Sequence, residues 1–141
     1  MPTFHLEIVT PDRVVISAQA RSVRLHGTMG SLGVLANHAP LLTSLTTGPI
    51  KVEHENGDIE FVAASGGFAD VHGDRVTVVA DTAERSADID VARVEEAIRR
   101  AQVVLAEGGT ENYARNQDAL RRAMNRLKVA QQQHEQASTR H

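Results

Sequence analysis

The chain has 141 residues, of which 41% are hydrophobic and 23% charged, and its formal net charge is −3. This length predicts one domain with a modest core, and the composition is that of an ordinary globular protein. The chain contains no cysteine, which excludes disulfides, thiolate zinc sites, iron–sulfur clusters and cysteine nucleophiles. The nearly neutral charge disfavours a nucleic-acid binder that works by neutralising phosphates.

No apolar run approaches the roughly 20 residues that a membrane-spanning helix needs. The opening residues, MPTFHLE, lack the basic and apolar regions of a signal peptide. We therefore expect a chain that is soluble, or that is peripheral to a membrane through a partner.

The first 80 residues predict short strands. Polar and apolar residues alternate over 3–9, 50–54 and 75–79, which is the period of a half-buried strand. Asn56 and Gly57 predict a hairpin with a type I′ turn, in which both central residues have positive φ. Turn residues recur at intervals too short for crossover helices, so we predict an antiparallel β-sandwich or flattened barrel.

The composition changes after Ala80, where Gly and β-branched residues give way to Ala, Arg, Glu, Gln and Leu. Apolar residues at helical spacing predict two helices, at 89–107 and at about 111–136. The Gly-Gly-Thr sequence at 108–110 predicts a tight turn between them, so the helices should form an antiparallel hairpin.

The predicted fold class is therefore α+β. A β-sandwich domain is expected over 1–84, a linker over 85–88 and a helical hairpin over 89–141. The charge differs between the parts, because residues 111–141 hold 6 basic and 3 acidic groups whereas residues 1–87 hold 6 and 10.

The facing stripes of the two helices are rich in Ala and poor in Leu, so their burial should be small and the hairpin marginal. The tail that follows Ala130 has no apolar anchor and is expected to fray. The stripes contain Val94, Ala97, Ile98, Ala101, Val104 and Leu105 on the first helix, and Leu120, Ala123, Met124, Leu127 and Ala130 on the second.

The common catalytic and metal-binding patterns are missing from the sequence. The seven histidines include no pair at i, i+4 and no HExxH pattern, so we expect no metal site. His38 is expected to hydrogen-bond to backbone in a turn. The glycines of 27–33 lack the Lys-Ser/Thr of a phosphate loop, and sharp turns and a bulge explain them better. The serines have no nucleophile-elbow context, and we expect no catalytic residue.

Three arginines of the predicted hairpin can meet on one surface. Arg122 and Arg126 share a helix face at i, i+4, and Arg93 falls opposite them if the chain turns at 108–109. Three converging guanidiniums would form a phosphate clamp. The alternative is that these arginines form weak surface salt bridges with Glu95, Glu96 and Asp118.

Six segments together resemble the epsilon subunit of bacterial F-type ATP synthases, over essentially the whole chain. Their glycine, Asn-His-Ala-Pro and Ala-Glu elements are specific in this order, although each is common alone. The segments are FHLEIVTP (4–11), GSLGVLANHAPLL (30–42), GGF (66–68), VTVVADTAE (76–84), IDVAR (89–93) and RAMNRL (122–127).

The resemblance implies a rotor subunit with no catalysis of its own. In this family the sandwich docks on the gamma subunit and the c-ring, and the subunit couples proton flow to ATP synthesis at the cytoplasmic face of the bacterial membrane. The hairpin can extend along gamma into the alpha/beta catalytic head and block ATP hydrolysis. A weak hairpin with a basic second helix suits that role, because acidic surfaces of the head would attract it.

Some family members also bind ATP on the folded hairpin, through an Ile/Leu-Asp-x-x-Arg-Ala motif and two arginines of the second helix. Val94 stands where the motif has Ala. The resemblance thus implies ATP as a regulatory ligand and no required cofactor, and a free-standing ATP-sensing module stays open as an alternative. The candidate site residues are Glu84, Ile89, Asp90, Arg93, Arg122 and Arg126.

Overall fold

The computed structural model describes residues 1–108 and 111–139. Within them nine strands precede two helices, α1 (Val91–Ala106) and α2 (Tyr113–Thr139), and a 3-10 turn, Ser86–Asp88, joins the two regions. The predicted α+β order is confirmed. The strands are β1 (Phe4–Thr10), β2 (Arg13–Gly27), β3 (Gly30–Leu35), β4 (Leu41–Ser44), β5 (Gly48–His54), β6 (Ile59–Ser65), β7 (Phe68–His72), β8 (Arg75–Val79) and β9 (Thr82–Arg85).

The strands form one hydrogen-bonded sheet in the order β4-β7-β8-β1-β2-β5-β6-β9, with β3 added beside β2. The sheet folds over itself, because Val71 of β7 and Ala83 of β9, which lie near its two ends, belong to the same apolar core. The predicted β-sandwich is therefore confirmed.

One strand pair departs from the antiparallel expectation. β1 and β8 run parallel, with Leu6 opposite Val76 and Ile8 opposite Val78. A parallel pair needs a long connection, and strands β2 to β7 supply it here in place of a crossover helix. The other paired strands of the described sheet are antiparallel.

The hairpin predicted at Asn56 and Gly57 joins β5 to β6, but the predicted turn type is wrong. Gly57 has a positive φ of 91°, whereas Asn56 is not among the described residues with positive φ. Gly57 N–H donates to His54 O at 2.9 Å, and His54 N–H donates to Asp58 O at 2.8 Å. These bonds enclose a three-residue loop, which uses a type I turn followed by one left-handed glycine rather than the two positive-φ residues of type I′.

The glycines of 27–33 lie in the β2–β3 hairpin. Gly27 pairs with Gly30 across a two-residue turn, and Gly30 has a φ of 126°. The chain continues from this turn into a strand, not a helix. A sharp turn, and not a phosphate loop, therefore explains Gly27 and Gly30, as predicted. The predicted bulge is wrong, because β2 and β3 pair in continuous register and Gly33 lies within β3 opposite Arg24.

The core of the sandwich is apolar throughout. Phe4 is 2% exposed, Leu6 and Ile8 are 0% exposed, and each of the residues buried with them is Val, Ile, Leu, Phe or Ala. Gly67, which follows β6, has a φ of 88°, and a Cβ at this position would clash with Val79 O. This turn requires glycine because it brings two backbones into contact.

The first helix begins two residues later than predicted. Asp90 is its N-cap, and its carboxylate accepts a hydrogen bond from Arg93 N–H at 3.2 Å. After the helix, Gly108 has a left-handed φ of 74°, as a C-terminal glycine does. The other two residues of the predicted turn, Gly109 and Thr110, lie outside the described residues.

The second helix is 27 residues long, which corresponds to about 40 Å. The predicted fraying of the tail is wrong for its described part, because α2 continues to Thr139 and Gln133 hydrogen-bonds to the sheet. Arg140 and His141 of the predicted tail lie outside the described residues. The predicted linker 85–88 falls on the last residue of β9 and the 3-10 turn.

The stripes predicted between the helices are buried only in part. Ala123 is 3% exposed and Val94 is 7% exposed, but Val104 is 45% exposed and Met124 is 53% exposed. Val94 is the one buried residue of α1 among those described. The apolar contact between the helices is therefore small, as their Ala-rich sequences predict.

Candidate functional site at the interface of sheet and hairpin

The second helix docks on strand β6 through one face. Val129 is fully buried and packs against Phe61 and Ala63. Asn125 and Gln133 lie four residues before and after it, which places all three on the same helix face. This docking face, Asn125–Val129–Gln133, therefore has one apolar side chain between two carboxamides.

Both carboxamides bind backbone groups of β6. Gln133 Oε1 accepts from Phe61 N–H at 2.8 Å, and Gln133 Nε2 donates to Ile59 O at 3.0 Å. Ser86 Oγ of the 3-10 turn also donates to Gln133 Oε1, at 3.0 Å. Asn125 Nδ2 donates to Ala64 O at 3.2 Å. The attachment of α2 to the sheet is thus largely polar.

The first helix forms an outer layer. In the described residues α1 packs on α2, while α2 packs on β6, β5 and the 3-10 turn. The order of layers is sheet, α2, α1. The position of the hairpin on the sandwich is consequently set by α2.

A small cavity of about 90 Å³ between α2 and β9 gathers three of the candidate site residues, Glu84, Arg122 and Arg126. Arg126 Nε lies 3.4 Å from Glu84 Oε1, and both side chains are more than a third exposed. The volume is below the roughly 300–1,000 Å³ of ligand pockets. The cavity can hold an anionic group but not a whole nucleotide.

The other three candidate residues lie elsewhere on the hairpin. Ile89 packs against the apolar cluster around Val129, Asp90 caps α1, and Arg93 is exposed. Of the described residues that line the 90 Å³ cavity, none is Ile89, Asp90 or Arg93. The structure therefore brings Glu84 together with the arginine pair and leaves Arg93 outside this cavity.

The acidic partners predicted for the salt-bridge alternative bind other arginines. Glu96 pairs with Arg99 at 2.7 Å and Asp118 pairs with Arg121 at 3.1 Å, each within one helix. The hydrogen bond from Arg99 lowers the pKa of Glu96. The predicted salt bridges of Arg93, Arg122 and Arg126 with Glu96 and Asp118 are therefore wrong.

A second cavity, of about 530 Å³, lies between α2 and the strands β2 and β5. His26, Arg121 and Lys128 line it, and no carboxylate does among the described residues. Gly48 packs against the His26 ring, where a Cβ would lie 2.8 Å from Cγ. Burial lowers the pKa of His26, and the positive charges of Lys128 and Arg24 lower it further.

The end of β9 is held by an ion cluster. Arg85 donates to Glu60 from Nε at 2.6 Å and from Nη2 at 2.8 Å, and the Glu60 hydrogen bond raises the pKa of Arg85. His54 Nε2 lies 2.8 Å from Glu60 Oε1. The cluster fixes the last residue of β9 against β6, next to Gln133.

The described residues hold no metal cluster and no membrane-spanning helix. Among them, no group of three or more His, Asp or Glu side chains could hold a metal ion. His38 Nδ1 donates to Ala39 O at 2.7 Å, so the predicted backbone bond of this histidine is confirmed. Neither described helix combines the length and the apolar character needed to cross a bilayer.

Comparisons with known proteins account for this arrangement. The family described as ATP synthase, Delta/Epsilon chain, beta-sandwich domain matches residues 3–86, and the corresponding long alpha-helix domain matches residues 87–131. An ATP synthase epsilon chain of Moorella thermoacetica is 47% identical over 131 residues, which cover 92% of this chain and 98% of that one. The chain belongs to the ATP synthase epsilon chain family. An epsilon chain of Brevibacillus brevis is 45% identical, over 81% of this chain and 83% of its own.

Solved structures support the fold of this epsilon family member. A chain of the Euglena gracilis mitochondrial ATP synthase has a TM-score of 0.78 at 23% identity, over 92% of this chain and 82% of that one. A chain of the Tetrahymena thermophila mitochondrial ATP synthase central stalk and c-ring has a TM-score of 0.52 at 14% identity, over 91% of this chain and 93% of that one.

Sequence patterns missed the residues that attach the hairpin of this epsilon chain to its sheet. Asn125 and Gln133 are polar, so a search for an apolar stripe passes over them. A usable signal was present, since both carboxamides stand four residues from Val129, a β-branched residue in a polar part of the helix. Side-chain amides at this spacing can satisfy backbone groups at a sheet edge.

Proposed function

We propose that this chain is the central-stalk epsilon subunit of a proton-translocating F-type ATP synthase. The proposal rests on 47% identity to a bacterial epsilon chain, over 92% of this chain. The subunit has no catalysis of its own, and it couples rotation to ATP synthesis. Its sandwich binds the gamma subunit and the c-ring, and its place is at the cytoplasmic face of the membrane, peripheral through the complex.

The hairpin of the proposed subunit inhibits ATP hydrolysis by leaving the sandwich and entering the alpha/beta catalytic head. The docking face supports this role, because only Val129 provides it with a fully buried apolar contact. The sandwich core contains no residue of α1 or α2. The hairpin can therefore undock without opening that core.

Charge supports the same role. Residues 111–141 hold 6 basic and 3 acidic groups, and the acidic surfaces expected on the catalytic head would attract them. Undocking exchanges a small interface with a sandwich that carries 6 basic and 10 acidic groups for a charged interface with a larger partner.

Removal of residues 89–141 tests the inhibitory role. In the reconstituted complex, ATP hydrolysis should rise when the hairpin is absent, at equal occupancy by the subunit. Binding to gamma is the control and should persist, because the core of the sandwich ends at Ala83. Unchanged hydrolysis would refute the inhibitory role, whereas loss of gamma binding would refute docking by the sandwich.

The second candidate function is ATP sensing by the compact hairpin, as a property of the subunit or of a free-standing module. The cavity that contains Glu84, Arg122 and Arg126 favours it, because two guanidiniums there can meet a phosphate. Only the phosphate end of ATP fits, so the base and sugar lie outside, towards α1 and Arg93. ATP at its Kd would stabilise the docked state by about 0.4 kcal/mol, and at ten times its Kd by about 1.4 kcal/mol.

Calorimetry with ATP on the full chain tests this candidate. Arg126→Ala should weaken binding, because it removes one of the two guanidiniums of the cavity. Arg99→Ala is a matched control, since Arg99 pairs with Glu96 on the outer helix. Equal affinity of wild type and Arg126→Ala would exclude the cavity as the ATP site.

A further inference from the structure

Strand β6 has an edge that its neighbour covers only in part. β9 pairs with β6 from Val62 to Ser65 and ends at Arg85. The 3-10 turn Ser86–Asp88 follows Arg85, so the chain leaves the sheet at this point. Residues 59–61 of β6 consequently form an open edge, and no strand of the described chain pairs with them on the β9 side.

The open edge presents Phe61 N–H as a donor and Ile59 C=O as an acceptor. Both are bound by the single carboxamide of Gln133, at 2.8 Å and 3.0 Å. A carboxamide is suited to this edge because it carries an acceptor and a donor on one planar group, as a peptide does. Gln133 thus occupies the place that the backbone of a longer β9 would take.

Two further contacts connect Gln133 and its neighbourhood to other parts of the molecule. Ser86 Oγ donates to the same Gln133 oxygen at 3.0 Å, so the 3-10 turn between sandwich and hairpin is tied to it. Phe61 is 8% exposed and packs against the fully buried Val129, one helical turn before Gln133. Release of Gln133 therefore uncovers an unpaired edge and an apolar surface together.

We propose that the open edge of β6 is a recognition surface for a carboxamide side chain, and that Gln133 is its occupant and the latch of the docked hairpin. The latch is a property of the docked state, and only its regulatory consequence rests on the proposed function. When Gln133 leaves, α2 loses its hydrogen bonds to Phe61, Ile59 and Ser86 in one step, while Asn125 and Val129 still contact β6. The chemistry at the edge requires both a donor and an acceptor, so neither a carboxylate nor a thioether replaces the amide.

Amide hydrogen exchange in the full chain, followed by NMR, tests the latch. Gln133→Met keeps the length and helix propensity of the side chain but removes both edge hydrogen bonds. We expect exchange at Phe61 to be faster by about tenfold or more, together with exchange along 125–133 of α2. Gln133→Glu keeps the acceptor for Phe61 N–H and turns an oxygen towards Ile59 O, so its effect should lie in the same direction.

The controls separate the latch from general destabilisation. Gln131→Met changes an exposed position of the same helix and should leave exchange at Phe61 unchanged. The amide of Val52, a fully buried core residue, should be unaffected in each variant and reports that the sandwich is intact. Unchanged exchange at Phe61 in Gln133→Met would overturn the proposal. Faster exchange at Phe61 alone, with α2 still protected, would also overturn it, because Gln133 would then cap the edge without holding the helix.

Hydrolysis by the reconstituted complex distinguishes the latch from the proposed inhibitory role. If both hold, Gln133→Met should strengthen inhibition, since it raises the population of released hairpin. Faster exchange with unchanged hydrolysis would leave the latch standing and refute inhibition by the hairpin. If removal of residues 89–141 abolishes inhibition but Gln133→Met leaves the exchange rates unchanged, the latch alone is refuted.

Discussion

The sandwich and the hairpin of this chain are held by different kinds of contact. The sandwich buries an apolar cluster of 20 residues, beside which Ser65 is its one buried polar residue among those described. Of the residues described in the two helices, only Val94, Ala123, Asn125 and Val129 are buried, and one of these is an amide. The free energy of apolar burial grows with the buried area, so a large apolar core is not easily opened. A few hydrogen bonds, in contrast, can be replaced by hydrogen bonds to another partner. One chain thus combines a body that stays folded with a part that can change its position.

The largest expected effect is in the sandwich core. Leu6→Ala should lower the free energy of unfolding by about 2–5 kcal/mol, because Leu6 is 0% exposed and its loss leaves a cavity. Urea denaturation of the isolated chain measures it. Leu42→Ala, at a position 70% exposed, is the matched control and should change stability by less than about 0.5 kcal/mol. Similar values for the two variants would contradict the closed core.

The next effect concerns the docking of the hairpin. Val129→Ala should weaken it by about 1–2 kcal/mol, since Val129 is 0% exposed against Phe61 and Ala63. Hydrogen exchange in α2 should rise while the sandwich keeps its protection. Val103→Ala, at a position of α1 that is 57% exposed, should have little effect. A global loss of protection in Val129→Ala would show that the two regions unfold together.

A smaller effect belongs to the ion pair between sheet and helix. A double-mutant cycle on Glu84 and Arg126 should give a coupling of about 0.2–1 kcal/mol, because both side chains are more than a third exposed. The coupling should decrease in high salt. The pair Glu96 and Arg99 lies within α1 and should show no coupling to docking. A coupling that ignores salt would mean that the Glu84–Arg126 contact is not electrostatic.

The smallest effect is a pH dependence of docking. The pKa of His26 is lowered by burial and by the nearby Lys128 and Arg24, so docking disfavours its protonated form. The undocked state then binds more protons, and docking should be strongest above the ordinary pKa of about 6.5 and weaken as the pH falls below it. The charged groups that face His26 are Arg24 on its own strand and Lys128 and Arg121 on α2.

Hydrogen exchange of α2 between pH 5 and 8 checks this dependence, after correction for the intrinsic rates. His26→Gln should flatten the profile, and Lys128→Gln should flatten it in part. His72→Gln, at the exposed last residue of β7, serves as the control. Stronger docking at acid pH would reverse the sign and refute the role given to His26.

The sequence predicted local structure well and long-range pairing less well. The alternation over 75–79 corresponds to β8, Arg75–Val79, to the residue. The parallel pairing of β1 with β8 could not be predicted, because turn signals report only which neighbouring strands meet. The type I′ turn was wrongly predicted because dihedral preferences of Asn and Gly do not determine how many residues the loop contains.

Only part of the candidate site could be predicted from the sequence. Arg122 and Arg126 were paired by their helical spacing and Glu84 was added by the family resemblance, and the structure places all three around one cavity. The spacing from Val129 marks Gln133 in the sequence, but its backbone partners could not be predicted, because they depend on where β9 stops along β6. An amide in a polar helix gains its function from a partner strand more than 70 residues away in sequence.

The outer position of α1 restricts which molecules can control the hairpin. In the described residues α1 packs on α2, and α2 alone makes the larger contacts with the sheet. A molecule that binds only the outward surface of α1 has equal affinity for the docked and the undocked chain. Equal affinity leaves the ratio of docked to undocked chains unchanged, however tight the binding. Effective control therefore belongs to molecules that bridge sheet and α2, which favour docking, or that compete for the inner face of α2, which favour release.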